Sequence, residues 1–145
     1  MAQDVIDLLA KRKRGLKISK SKTDHYRIHG YKENVDRESP TYFYGSDEVK
    51  MLSLIEEKNE FGDVISEDLR IIKAQVVWSV RHEMARTIED FLARRTRTLF
   101  LDARESVRIA PEVAVLMARE LNVGEGWIKK QLSDFSKVAK NYFLD

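Results

Sequence analysis

Apolar residues recur every three or four positions over long stretches of this chain, and that spacing commits it to amphipathic helices packed about one core. The clearest case is residues 125–143, where Trp127, Ile128, Gln131, Phe135, Val138, Ala139 and Tyr142 share one stripe. A second run, Ile72 to Met84, places Val76, Val77, Val80 and Met84 on one face, widened by Trp78 and Ala85. Its β-branched content makes a strand the rival reading. The pattern continues through Ile88, Phe91 and Leu92, however, well beyond the roughly five or six residues of a usual strand. This helix is expected at the centre of the core, with the last helix packed onto it.

The remaining elements are read from their punctuation. Gln3 to about Lys13 reads as a short amphipathic helix that closes at Gly15 behind Lys11, Arg12, Lys13 and Arg14, whose charge suits a helix C-terminus. Ser46 reads as an N-cap, with Asp47 and Glu48 in the first turn of a helix reaching Lys58. Residues 59–68 read as a turn with an extended piece at Val64 and Ile65. Thr87 and Asp102 are further caps, and Pro111 is expected to divide Ala103–Ile109 from a helix over Glu112–Leu121, which the stretch from Asn122 to Gly126 ends.

The fold expected is all-α: a compact bundle of about five to seven helices preceded by a long, partly irregular N-terminal segment. Its divisions are an N-terminal helix at residues 1–13, a mostly irregular connection at 14–45 and a bundle at 46–145. At 145 residues this suits a single domain. No repeat and no sustained heptad seam points to a solenoid or coiled coil.

Charge excludes little. Lys and Arg number 26 against 24 Asp and Glu, so the global field does not demand a polyanionic partner. The absence of cysteine removes disulfides, zinc-thiolate sites and thiol nucleophiles. Neither a signal peptide nor a run of about 20 apolar residues is visible, and the chain is expected to be cytoplasmic. Its abrupt opening on Val5, Ile6, Leu8 and Leu9 suits a chain cut from a larger protein.

Candidate chemistry is sparse. His82-Glu83 begins like a zinc-protease helix, but the second ligand position is Arg86, and a cation there defeats a metal site. His25 and His29 would share a helical face with Asp24 and Asp36 nearby, though they fall where a solvated loop is expected. Arg94, Arg95 and Arg97 gather guanidinium groups that suit a phosphate or carboxylate; the competing reading pairs them with Glu83, Glu89, Asp90 and Asp102 at a helix corner. The tract Lys11 to Lys22 is the one local basic run and lacks the interleaved aromatics of a base-stacking surface. No G-x-G-x-x-G, P-loop or G-x-S-x-G occurs among only six glycines.

Several blocks taken in order carry a resemblance. They are Tyr44-Gly45-Ser46-Asp47, the stretch Val76-Val77-Trp78-Ser79-Val80-Arg81-His82-Glu83-Met84-Ala85-Arg86-Thr87, then Leu92-Ala93-Arg94-Arg95-Thr96-Arg97 and Leu99-Phe100-Leu101-Asp102-Ala103-Arg104. Together they resemble the C-terminal domain of FAD-dependent glycerol-3-phosphate dehydrogenases and alpha-glycerophosphate oxidases. The resemblance is close from Tyr44 to Asp102 and looser from Gln3 to Asp145.

Residues 1–7 are similar to the helix that leaves the flavin domain in that family. The resemblance implies oxidation of glycerol 3-phosphate to dihydroxyacetone phosphate on FAD, with electrons passed to a quinone or other acceptor. The parent enzyme is then expected to lie on the inner face of a membrane. Implied partners are the flavin-binding domain of the same polypeptide and those small molecules, with no nucleic acid. The family's flavin and substrate residues lie upstream of the matched region, so no catalytic, cofactor-binding or metal residue carries over, and the chain alone is expected to be inactive and free of FAD. Its implied role is to support the catalytic domain or cover its cleft, with Arg94, Arg95 and Arg97 the candidates for a substrate phosphate. The alternative is a free-standing helical module that recognises nucleic acid or a protein through the basic tract.

Overall fold

A computed structural model describes residues 2–12, 19 and 21–143. The chain forms two compact units, Met1–Tyr31 and Lys32–Asp145. In the first, helix α1 spans Ala2–Arg12 with none of its residues buried. Turns follow, and the Arg27 guanidinium lies 4.8 Å from the ring centroid of Tyr31. Most of the basic tract, namely Lys13, Arg14, Lys17 and Lys20, lies outside the described residues, as does Gly15.

The second unit is helical except for one small hairpin. Its order is a 3-10 segment at Tyr42–Asp47, α2 at Glu48–Glu57, a 3-10 turn at Asn59–Gly62, strands β1 (Val64–Ser66) and β2 (Ile71–Ile72), and α3 at Lys73–His82. A π-helical segment at Asp90–Arg95, α4 at Thr98–Leu101, α5 at Ala103–Leu121, α6 at Glu125–Ala139 and a 3-10 turn at Lys140–Tyr142 complete it. The strands are antiparallel, with Val64 opposite Ile72 and Ser66 opposite Ile71. The extended piece expected at Val64 and Ile65 is therefore β1.

Helix α3 is central because every residue from Ala74 to Val80 is buried, so the helix has no solvent face. Val76 and Val80 join Ile88, Phe91, Leu92, Ile109, Val113 and Met117 on one side. Ala74, Val77 and Trp78 join Met51, Leu54 and Phe61 on the other. A helix between two apolar clusters needs no polar stripe, which explains the β-branched run that made a strand its rival. Its one large buried polar side chain is Gln75, whose Oε1 accepts from Ile72 N at 2.8 Å and whose Nε2 donates to Pro40 O at 3.5 Å.

The helix ends earlier than the pattern implied. Met84, expected on the core stripe, sits at φ 57° and is 76% exposed. A left-handed residue stops the helix, and Ala85 N closes the end by donating to Ser79 O at 3.0 Å. The chain restarts as expected at Thr87: Thr87 Oγ1 accepts from Asp90 N at 3.0 Å while Asp90 Oδ2 accepts from Thr87 N at 2.9 Å.

Three further expectations are corrected. Ser46 is not the N-cap of α2, because the 3-10 segment runs through it and Asp47 precedes the helix without a side-chain cap bond. Helix α6 packs along α5 rather than on α3, burying Phe135 and Ala139 and half-burying Trp127, Ile128, Leu132 and Val138. Tyr142 lies beyond it, exposed.

Pro111 does not divide α5, which runs unbroken from Asp102, whose Oδ1 caps Glu105 N at 2.9 Å, to left-handed Asn122. The buried stripe Ser106, Ile109, Ala110, Val113, Ala114 and Met117 passes straight across the proline, and that packing outweighs one lost backbone bond. Pro111 itself is exposed. Replacing it with Ala restores an N–H for the Val107 carbonyl, and Pro111→Ala is expected to stabilise the fold by roughly 2 kcal/mol, the helix penalty of proline less its unfolded-state advantage. Urea unfolding of the two proteins checks this; an unchanged or lower midpoint would show that the helix bears no such penalty.

Candidate functional site

The arginines singled out in the sequence sit on the corner between the π-helical segment and α4. The segment's bond from Thr96 N to Phe91 O, at 3.0 Å, spans five residues and places Arg95, Thr96 and Arg97 around a tight exit. Arg94 turns onto the surface and pairs with Asp90 at 2.8 Å and Glu89 at 2.7 Å, two of the carboxylates expected to hold it. Arg95 donates from Nη2 and Nε to Glu83 O at 2.6 and 3.2 Å, and its Nε lies 3.7 Å from the Glu83 carboxylate. Burial raises the Glu83 carboxyl above its ordinary range against the pull of Arg95. Arg97 is exposed at φ 60° and forms no ion pair among the described residues.

Arg95 and Arg97 line one half-open groove with a cavity volume of about 580 Å³, and Arg94 does not. The groove's third cation is Arg70, which sequence reasoning missed. It ends the hairpin turn between β1 and β2, where its N donates to Glu67 O at 3.1 Å, and it too is left-handed, at φ 54°. Neither glycine nor asparagine marks that turn, so the sequence carries no signal for it. The rest of the lining is Thr96 and apolar side chains, notably Tyr42, Phe43, Leu69, Ile71 and Phe100.

A buried carboxylate holds the wall that Pro40, Tyr42 and Phe43 provide. Glu48, at the start of α2, accepts from Lys32 Nζ at 2.7 Å, Ser39 Oγ at 2.6 Å and Thr41 Oγ1 at 2.7 Å, so the irregular stretch before the helix is drawn onto it. Those bonds hold its pKa down at about 2, with the Lys32 bond the largest cause. Across the domain, Glu105 is likewise lowered to about 2 by Arg108 and Ser66, joining β1 to α5.

The histidine readings dissolve into structure. His82 ends α3 with its ring 4.1 Å from that of Trp78, and Arg86 donates to the carbonyls of Val80 and Ala85. His25 lies in a turn beside Asp24, at 3.3 Å, so His29 is not one helical turn away on a shared face. Among the described residues no group of three His, Asp or Glu gathers that suits a metal ion.

The glycines are committed to the fold rather than to a phosphate cradle. Gly30 and Gly45 take φ 84° and 58° at bends, a Cβ on Gly62 would meet the Ile55 side chain at 3.3 Å, and Gly124 and Gly126 stand open at the start of α6. The described residues thus do not fit a flavin's pyrophosphate.

Comparison with known proteins supplies the context for this fold. The family model described as the C-terminal domain of alpha-glycerophosphate oxidase matches residues 21–129. The chain belongs to that family. It is 36% identical over 69 residues to the mitochondrial glycerol-3-phosphate dehydrogenase of Schizosaccharomyces pombe, a match covering 48% of this chain and 10% of the relative. It is 29% identical over 99 residues to a probable mitochondrial glycerol-3-phosphate dehydrogenase of Dictyostelium discoideum, covering 68% and 15%. A mitochondrial glycerol-3-phosphate dehydrogenase of Arabidopsis thaliana is 26% identical over 102 residues, covering 70% and 15%. No solved structure matches.

The chain therefore corresponds to a small fraction of the length of each of these enzymes, 10% to 15%. The expectation of a cytoplasmic chain is corrected here, because all three relatives are mitochondrial. Among the described residues no helix is long and apolar enough to cross a membrane. The comparisons lend no support to a free-standing nucleic-acid or protein-binding module.

The depressed pKa of Glu48 fixes a sign for the stability of the groove wall. A carboxylate held down at about 2, against 4.5 ordinarily, contributes stability that is complete above about 4.5 and is lost as the pH falls towards about 2. Glu48→Gln is expected to destabilise the fold by roughly 2–3 kcal/mol at neutral pH, with the difference from the parent chain shrinking through that acid window. Denaturant unfolding at several pH values reads it. A gap that stays constant into acid would mean that the carboxylate charge contributes nothing.

Proposed function

We propose that the chain serves as the C-terminal helical domain of an FAD-dependent enzyme that oxidises glycerol 3-phosphate to dihydroxyacetone phosphate and hands the electrons to a quinone or another acceptor. Its own part is structural: it supports the flavin-binding domain of the same polypeptide or covers that domain's cleft. The observation that carries this reading is the family match over residues 21–129, taken with relatives named as glycerol-3-phosphate dehydrogenases, of which it spans a tenth to a sixth or less.

The chemistry of the described residues agrees. FAD supplies hydride acceptance when bound to the parent enzyme, and the glycine arrangement found here belongs to turns and packing. What this domain's residues contribute is shape and charge. A rigid helical body excludes water from a neighbouring cleft, and Arg95 and Arg97 are the family residues of the corner that remain available to an anion, Arg94 being held by Glu89 and Asp90.

Two measurements test the reading. The purified chain is expected to show no flavin absorbance after incubation with FAD and no turnover of glycerol 3-phosphate; a yellow, flavin-loaded chain overturns it. In a full-length enzyme containing this domain, Arg97→Ala is expected to raise KM for glycerol 3-phosphate by about tenfold if the arginine meets the substrate phosphate, the loss of one charge-assisted bond. An unchanged KM in Arg94→Ala, Arg95→Ala and Arg97→Ala alike leaves only the structural role.

A further inference from the structure

The groove between the β1–β2 hairpin and the α4 corner has properties that a purely structural role does not use. Its cavity of about 580 Å³ falls within the range of small-molecule sites, about 300–1,000 Å³. Three of its lining residues are arginines and none is acidic. The nearest acidic partners are displaced: Glu38 is 3.9 Å from Arg70 and 91% exposed, and the Glu83 carboxylate is 3.7 Å from Arg95. Arg97 forms no ion pair among the described residues, so a cation stands over an apolar wall without neutralisation.

The backbone adds an independent sign. Arg70 and Arg97 are two of only four non-glycine residues with positive φ among those described, and both line this groove. Left-handed backbone costs a side-chain-bearing residue free energy, and such outliers cluster where a fold positions groups for a ligand. They come from separate elements, a hairpin turn and a helix corner, and converge on one cavity.

We propose that this groove is a binding site for a small organic anion with an apolar body, its phosphate or carboxylate head taken by Arg97 and Arg70 and its body lying against Phe43, Leu69, Ile71 and Phe100. Arginine suits such a head because its planar fork donates two parallel hydrogen bonds. Free glycerol 3-phosphate is a poor occupant, since it has no apolar surface with which to cover that wall. The site is therefore separate from the oxidation assigned to the parent enzyme, and either reading stands if the other fails.

Titration calorimetry of the 145-residue chain tests it with naphthyl phosphate, naphthoate, naphthol, inorganic phosphate and glycerol 3-phosphate. Naphthyl phosphate or naphthoate is expected to bind at least about tenfold more tightly than naphthol, inorganic phosphate or glycerol 3-phosphate, and whichever of the two is tighter names the head group. Arg97→Gln and Arg70→Gln are each expected to weaken that binding by about tenfold or more. Arg97→Lys should fall between, keeping charge but losing the fork, while Arg94→Gln, outside the groove, leaves it within about twofold.

Thermal unfolding confirms that each variant is folded. Three results overturn the proposal: no binding of either aromatic anion, inorganic phosphate or glycerol 3-phosphate binding as tightly as naphthyl phosphate, or affinity indifferent to Arg70 and Arg97.

Discussion

Everything in the larger unit is arranged around a helix that has no outside. Because α3 is buried from Ala74 to Val80, one apolar cluster must form on each side of it, and the other elements are disposed to build those two clusters. Helix α5 and the Ile88–Leu92 stretch close one side, and α2 with the Asn59–Gly62 turn closes the other. Arg81, at the rim, fastens both at once, pairing with Glu57 of α2 at 2.9 Å and Glu120 of α5 at 2.6 Å. The sandwiching explains why residues without an amphipathic stripe still fold as a helix: tertiary burial decides, and intrinsic preference yields.

Polar groups then do what apolar burial cannot, which is to place irregular backbone. The stretch from Lys32 to Thr41 has no periodicity, yet three donors from it converge on Glu48. A carboxylate that gives up water needs several hydrogen bonds in return, so burying it fixes the positions of all its donors together. The same logic at Glu105 secures β1 against α5 through Ser66. These two carboxylates hold the parts of the domain that helix packing leaves undetermined, including one wall of the arginine groove.

How much of this was legible beforehand depends on the range of the interaction concerned. The helices of the core, the caps at Thr87 and Asp102 and the left-handed stop at Asn122 all follow from neighbours within a few residues, and the structure has them. Pro111 was misread because its effect is local while the stripe that overrides it extends along all of α5. Met84 was misread because the side chain fits the stripe and only the backbone turns away. The ordered stretch before α2 was illegible, since Lys32 and Glu48 are sixteen residues apart. At the groove, the sequence marked Arg95 and Arg97 by their density but offered nothing for Arg70, brought in by a hairpin that no turn residue announces.

The π-helical segment at Asp90–Arg95 carries a consequence for how this domain tolerates change in length. One residue more than an α-helical turn is accommodated between Phe91 and Thr96. Deleting a single residue there would restore ordinary winding, and everything after it would be re-phased by about 100°, the angular step of one helical position. Arg95 would swing off the Glu83 carbonyl and Arg97 off the groove, while Phe91 and Leu92 upstream could stay seated in the core. Insertions and deletions at this corner are thus felt as changes of aim rather than of stability, and the segment works as an index pin for the arginines that follow it.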